Sequence, residues 1–225
     1  MKVYEEPRQL RLPMDPNRSG GLHLSAILRH LALQMKVLDA KYDTPLTDDN
    51  SLMAQIGIAW EDYLAKHQFP NIEFHPGELI CDGIAMSPDG ISSPDSEDYA
   101  ELIGVDRESW ILEEFKSTRK SSRDFKEALR LKADKVKLWL WQIMSYRRAL
   151  NRICEPGTEC FVARLHVLFM NGNYSKDFND PESGPVNKIF RLVFSPEELD
   201  DNWLMVVSHR DYMQEIGALG DDRGR

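Results

Sequence analysis

Apolar residues recur at helical spacing from Ser25 onward. Ile27, Leu28, Leu31, Met35 and Leu38 share one face, and Ser25 is placed to cap that helix. Ahead of it, three prolines within residues 7–16 and the pair Gly20-Gly21 break any periodicity, so residues 1–22 read as an arm. A second helix is predicted over about 50–67, with Ile56, Trp60 and Leu64 on its stripe. Strand character begins near Leu79 and continues through Ile80 to Met86. The turn signal Ser87-Pro88-Asp89-Gly90 ends it.

The apolar pattern then lapses over about 91–108, where Asp95, Glu97, Asp98, Glu101, Asp106 and Glu108 mark an acidic loop or insertion. It returns in ILEEFKSTRK (111–120), a strand with Lys120 to Arg123 as its exit. A long helical stretch follows from about Asp124 to Arg152, with a break expected near Asp134. Two β-rich runs, 160–170 and 188–194, precede Ser195-Pro196-Glu197-Glu198. That tetrad is a capping box with proline at the first helical position, and it opens a helix to about Ile216. Residues 217–225 read as a flexible tail. The order α, α, β, β, α, β, β, α predicts one α/β domain over 23–216, with a mixed central β-sheet flanked by helices.

One strand does not fit a purely structural role. Side chains alternate across a strand, so Glu114 and Lys116 project to one face while Glu113 and Phe115 project to the other. A carboxylate and an ammonium buried together add little stability, because desolvation roughly cancels their attraction. The pair makes better sense with further charge between them, a cation near Glu114 and an anion near Lys116. The preceding turn supplies a second carboxylate, Asp89, 25 positions earlier. Two carboxylates are hard oxygen ligands of the kind Mg²⁺ or Mn²⁺ prefers.

Composition sharpens this only in part. The chain has 225 residues, 42% of them hydrophobic and 29% charged, within the range of a water-soluble domain. Its formal net charge of −9 argues against a general nucleic-acid coat protein. The charge is uneven, however: residues 116–137 net +6, against −15 for the remainder. A basic strip on an acidic body suits a protein that grips a polyanion at one place. Cys81, Cys154 and Cys160 suggest neither a disulfide framework nor a four-thiolate site, and the start lacks signal-peptide character, so a cytoplasmic location is expected. No apolar run approaches bilayer length, and no membrane partner is expected. The six histidines show no ligand spacing and read as structural or surface residues; His75 lies nearest the first strand.

Ser87-Pro88-Asp89-Gly90 followed by Glu114-Phe115-Lys116 resembles the PD-(D/E)xK nucleases, most of all the branch of lambda exonuclease and the YqaJ-type viral recombinases. Gln142-Ile143-Met144-Ser145-Tyr146 is similar to the Q-x-x-x-Y signature of RecB-like nucleases, and Gly57-Ile58-Ala59-Trp60-Glu61 resembles their earlier G-x-x-x-(H/E) element. The four pieces occur in the family's order across roughly residues 50–150.

The resemblance implies a restriction-endonuclease-like core and a Mg²⁺- or Mn²⁺-dependent deoxyribonuclease. Asp89 and Glu114, with the Phe115 carbonyl and Glu61, would hold the metal. Lys116 would orient or deprotonate the attacking water, and Gln142 and Tyr146 would donate towards the site or a phosphate. Ser117, Thr118, Arg119, Lys120 and Arg123 follow directly and would hold flanking phosphates of duplex or single-stranded DNA. Asp82 and Asp95 are alternatives to Asp89, and Glu113 is the register alternative to Glu114. The acidic insertion is expected to form a separate flap.

The family favours an exonuclease of phage-type recombination or DNA processing, with a recombination partner protein, a homo-oligomer and a phage origin left open. The competing readings are an endonuclease of the same fold, a non-catalytic DNA-binding or assembly protein that keeps it, and an adaptor docking a basic partner.

Overall fold

A computed structural model of the chain describes residues 22–38, 48–69, 71–154, 159–160, 162–177 and 179–218. The expected arm, apart from Leu22, and the tail from residue 219 lie outside the described residues. Leu22–His23 (β1) leads into Leu24–Gln34 (α1). Asp48–His67 (α2) is followed by four short strands: Glu73–Phe74 (β2), Leu79–Cys81 (β3), Ile84–Met86 (β4) and Gly90–Ser92 (β5). Glu97–Ile103 (α3) precedes the long strand Ile111–Thr118 (β6). Phe125–Arg130 (α4) and Asp134–Ile153 (α5) cross over to Val162–Phe169 (β7), and Val186–Leu192 (β8) and Pro196–Glu215 (α6) complete the order.

The main sheet runs β2-β5-β6-β7-β8, with β6 and β7 parallel and the other pairs antiparallel. A smaller sheet, β1-β4-β3, is also mixed. The chain is therefore α/β with mixed sheets flanked by helices, as its pattern predicts.

β6 and β7 are central and largely buried, and β7 accordingly reads as a mostly apolar run. Val162, Ala163, Leu165, Val167 and Phe169 are fully buried along β7. On one side, Val136, Leu140, Ile143 and Leu150 of α5 meet Ile27, Leu28 and Leu31 of α1 and Trp203 and Val206 of α6. Phe115 of β6 belongs instead to a second, smaller core with Leu64 of α2 and Ile72, against which Trp60, Phe69 and Phe74 pack. The charged pair of β6 thus sits in a strand held from both sides.

Several expectations need correction. Ser25 does not cap the first helix: α1 starts at Leu24 with His23 at the N-cap and no side-chain capping bond, and Met35 lies just past its end, half exposed. The strand expected over 79–86 is a hairpin. Asp82 and Gly83 both take left-handed backbone, with φ of +51° and +75°, and an Asp-Gly pair suits the tightest hairpin turn. The acidic segment 91–108 is built into the fold: it contributes β5 to the main sheet and the whole of α3, capped by Ser96 and ended by Gly104 at φ +73°. Arg191 of β8 donates to the Leu102 carbonyl at 3.3 Å, tying α3 to the far edge. The break expected near Asp134 falls at residues 131–133. The capping box forms as read: Ser195 Oγ accepts the Glu198 N–H at 3.2 Å, and Glu198 accepts the Ser195 N–H at 2.9 Å. Among the described residues no helix is long and apolar enough to cross a membrane.

Candidate active site

The turn that opens β5 places Asp89. Gly90 pairs with Glu113 in the antiparallel β5–β6 ladder, which sets Asp89 beside Glu114. A side chain at Gly90 would have its Cβ 2.8 Å from Ile72 Cγ2 and 3.3 Å from Glu113 Cβ, so the turn approaches its neighbours closely only because this residue has none. Asp89 Oδ2 accepts the Phe115 N–H at 2.9 Å and lies 3.8 Å from Lys116 Nζ. Lys116 Nζ donates directly to Glu114 Oε1. Asp82 and Asp95 are engaged elsewhere. Asp82 accepts from Arg152 at 2.6 Å and Trp203 at 2.8 Å, and Asp95 accepts from Asn71 at 3.2 Å. Asp89 is the aspartate at this pair.

Glu61 comes from α2. That helix can lie close to β6 because Gly57, one turn earlier, leaves room where a Cβ would sit 3.3 Å from Ser117 Oγ. Burial, and then the Asp89 charge, push the Glu61 carboxyl up to about 7, with Lys116 opposing. Glu114 is fully buried, and its carboxyl is pushed up to about 8. Burial is the main cause, Asp89 and Glu61 add to it, and Lys116 offsets part. Burial works against a charged Lys116, but Glu114 and Asp89 outweigh it and hold the ammonium above its ordinary range. Burial likewise raises Tyr146 above the usual phenol value, with the Glu114 charge adding. Gln142 Nε2 donates to the Tyr146 hydroxyl at 2.8 Å, so the two lie together on α5 facing this cluster.

Three carboxylates therefore surround one ammonium, and the crowding is visible in both elevated carboxyl pKa values. Glu114 Oε2 is buried with no hydrogen-bond partner among the described residues. A buried carboxylate oxygen without a donor is costly unless something positive meets it. The donor set and this oxygen fit a hard divalent cation. Among the described residues, no group of three or more His, Cys, Asp or Glu side chains is arranged to hold a metal ion as it stands, and Glu114 Oε1 accepts from Lys116.

The other residues singled out divide. Arg119, Lys120 and Arg123 are exposed, though Lys120 Nζ donates to the Lys135 carbonyl at 3.0 Å. Thr118 is buried, its Oγ1 accepting the Lys120 N–H at 3.1 Å, and Ser117 lies against Gly57. Further along the basic strip, Arg130, Lys132 and Lys137 are paired with Glu127, Glu198 and Asp134. The cations of the strip that form no ion pair with an acid among the described residues are Arg119, Lys120 and Arg123 beside β6, with Lys126 and Lys135 further along. His75 is exposed, and its N–H donates to the Asp89 carbonyl at 2.9 Å, bracing the turn through the backbone.

Glu113 lies on the opposite face, as alternation requires. It accepts from Arg164 Nε at 2.8 Å and from Ser92 Oγ at 2.5 Å, and it meets His166 Nε2 at 2.8 Å. Burial opposes its charge, but hydrogen bonds from His166 and Arg164 hold the carboxyl below the usual range. Arg164 and His166 were not singled out as its partners. Their one sequence signal is a charged and a titratable residue at alternate positions of an otherwise apolar strand.

No known family model matches the chain, and no curated protein matches it. Similar solved structures exist. A phage-related exonuclease from Haemophilus somnus 129PT has 15% identity and a TM-score of 0.45, with 88% of this chain and 83% of that one covered. An alkaline exonuclease from Laribacter hongkongensis has 14% identity and a TM-score of 0.44, covering 89% and 91%. The latter protein in complex with dAMP gives 12% identity, a TM-score of 0.40 and coverage of 89% and 95%.

Proposed function

We propose that the chain is a divalent-metal-dependent deoxyribonuclease, acting as an exonuclease. The observation that carries this reading is the partnerless, buried Glu114 Oε2 within a cluster of Asp89, Glu61 and Lys116. Asp89, Glu114 and Glu61, with the Phe115 carbonyl, would hold Mg²⁺ or Mn²⁺. Such an ion, when bound, makes water a far stronger acid and offsets charge on a phosphoryl oxygen.

The chain's own groups supply the rest. Lys116, held protonated by Glu114 and Asp89, is a poor proton acceptor. Its role is to orient the attacking water and to stabilise negative charge as the phosphorus centre crowds. Glu61 completes the carboxylate set beside Asp89 and Lys116, and the proton of the attacking water passes to solvent. Water attacks phosphorus, one P–O ester bond breaks, and the products are a phosphate monoester and a free hydroxyl. Tyr146 and Gln142 donate towards Glu114 or a phosphate oxygen from the α5 side. Arg119, Lys120 and Arg123 hold the neighbouring phosphates.

The test is incubation of the purified protein with linear and circular duplex DNA, in Mn²⁺ and in EDTA. Loss of linear DNA alone, only with Mn²⁺, is the expected result. Cutting of circles would make it an endonuclease, and retarded but intact DNA would remove the catalytic reading.

A further inference from the structure

We infer that the loop between β7 and β8 is a stacking ledge for an unpaired base, with Tyr174 as its surface. The inference rests on the nuclease reading and narrows its substrate: the site receives a nucleic-acid strand whose bases near the cut are unpaired.

β6 and β7 are parallel and in register, Lys116 opposite Val167 and Thr118 opposite Phe169, so the segments that follow both strands leave the sheet at one end. They are bonded together there. The Met170 N–H donates to the Thr118 carbonyl and the Ser122 N–H to the Gly172 carbonyl, each at 2.9 Å. Ser122 Oγ donates to Glu182 at 2.8 Å, and the Tyr174 hydroxyl donates to the Arg119 carbonyl. Arg119 is three residues beyond Lys116, roughly 10 Å along extended chain. A strand with a phosphate at Lys116 passes Tyr174 within a few nucleotides.

The loop is built to hold a fixed shape. Gly172, at φ +51°, has the Glu182 and Gly184 carbonyl oxygens 1.9 Å and 2.2 Å from where a Cβ would be, so no other residue fits. The Asn173 N–H donates to the Glu182 carbonyl at 2.8 Å, and its Nδ2 donates to Asp180 at 2.7 Å. Two of the loop's acids are tied down within it: Asp180 also accepts the Glu182 N–H at 2.9 Å, and Glu182 accepts from Lys188 at 2.8 Å. The loop shows Tyr174, Lys176 and Asp177 to solvent, with Tyr174 55% exposed beside the Arg119 backbone that its hydroxyl holds. Tyr174 takes φ +60°, a left-handed conformation that a bulky aromatic side chain rarely adopts. Such strain persists where the surrounding structure enforces it, and it concentrates at ligand contacts. With the hydroxyl already bonded, the ring faces remain, and an exposed tyrosine face stacks any base.

Binding of a labelled single-stranded oligonucleotide, carrying 2-aminopurine near one end, is measured in EDTA for wild type, Tyr174→Phe and Tyr174→Asn. Asparagine suits left-handed backbone, so Tyr174→Asn should fold at least as stably as wild type. Wild type and Tyr174→Phe should bind alike and quench the 2-aminopurine. Tyr174→Asn should bind on the order of ten- to a hundred-fold more weakly, without quenching. Equal binding by Tyr174→Asn would overturn the ledge, as would equal loss in Tyr174→Phe, which would assign the residue to holding Arg119. Cleavage in Mn²⁺ is scored separately. A wild type that binds and quenches but never cleaves would leave the ledge standing and remove the nuclease. A wild type that cleaves while Tyr174→Asn binds normally would do the reverse.

Discussion

Glu113 and Glu114 are consecutive, both completely buried, and differ in everything that follows from which way they point. Glu113 meets an arginine, a histidine and a serine, and its charge is satisfied to the point that its carboxyl titrates below the usual range. Glu114 meets one ammonium and two competing carboxylates, and it keeps an oxygen with no partner. Burial alone therefore does not decide what a buried carboxylate is for. In the first arrangement both carboxylate oxygens are bonded and β5, β6 and β7 are tied together, although His166 Nδ1 keeps no partner among the described residues. The second leaves one oxygen that only a proton or a cation could meet, and in the proposed function that cation is a metal ion.

The comparison breaks most sharply at Glu114. Glu114→Gln should lower metal-dependent DNA hydrolysis about a thousand-fold, the scale of losing a group that acts on transition-state charge. The same variant should not lose folding stability. The folded carboxyl titrates at about 8 against an ordinary 4.5, so the folded protein keeps a proton that the unfolded chain releases. Wild-type stability without metal must then fall as pH rises from about 4.5 towards 8. The glutamine variant lacks that loss, and its denaturant midpoint should overtake wild type across this window.

Glu113→Leu should do the opposite. It strands Arg164 and His166 in the interior, and removing one member of a buried ionic cluster costs about 3–5 kcal/mol. Urea unfolding at pH 7 measures this. The pH sign is also reversed. A depressed carboxyl contributes stability that is fully present above its ordinary pKa and is lost as pH falls below it, so wild type and variant should converge in acid.

Gly90→Ala sharpens the contrast more gently. An added methyl group meets Ile72 and Glu113 at once, and a forced fit of this kind costs about 1–3 kcal/mol. Because Gly90 also carries Asp89 into place, the variant should lose both stability and activity. A loss in only one of them would show that the two faces of β6 are not coupled through this turn.

Much of this was legible in the residues, for reasons that can be named. Glu114 and Lys116 stood out because a carboxylate and an ammonium two positions apart must share one face of a strand, as strict alternation requires. Asp89 was findable because Pro-Asp-Gly ends an apolar run abruptly. What could not be read is equally physical. The hairpin at Asp82-Gly83 hid inside an apolar run because a two-residue turn leaves the hydrophobic pattern on both sides intact. β5 and α3 were obscured by the acidic residues that surround them, since a three-residue strand and a seven-residue helix offer too few apolar positions to show a period. Arg164 and His166 became partners of Glu113 only through pairing between strands 51 and 53 positions apart, which no local pattern encodes.

The most direct test is a Mn²⁺ titration followed by the electron paramagnetic resonance of the free ion, on wild type and Glu114→Gln at pH 7 and pH 8.5. Metal competes with the proton on Glu114, so wild type should bind Mn²⁺ and bind it more tightly at the higher pH. The variant should bind at least ten-fold more weakly, on the scale of a lost ligand contact. Equal binding by the two proteins, or none by wild type at either pH, would contradict the account.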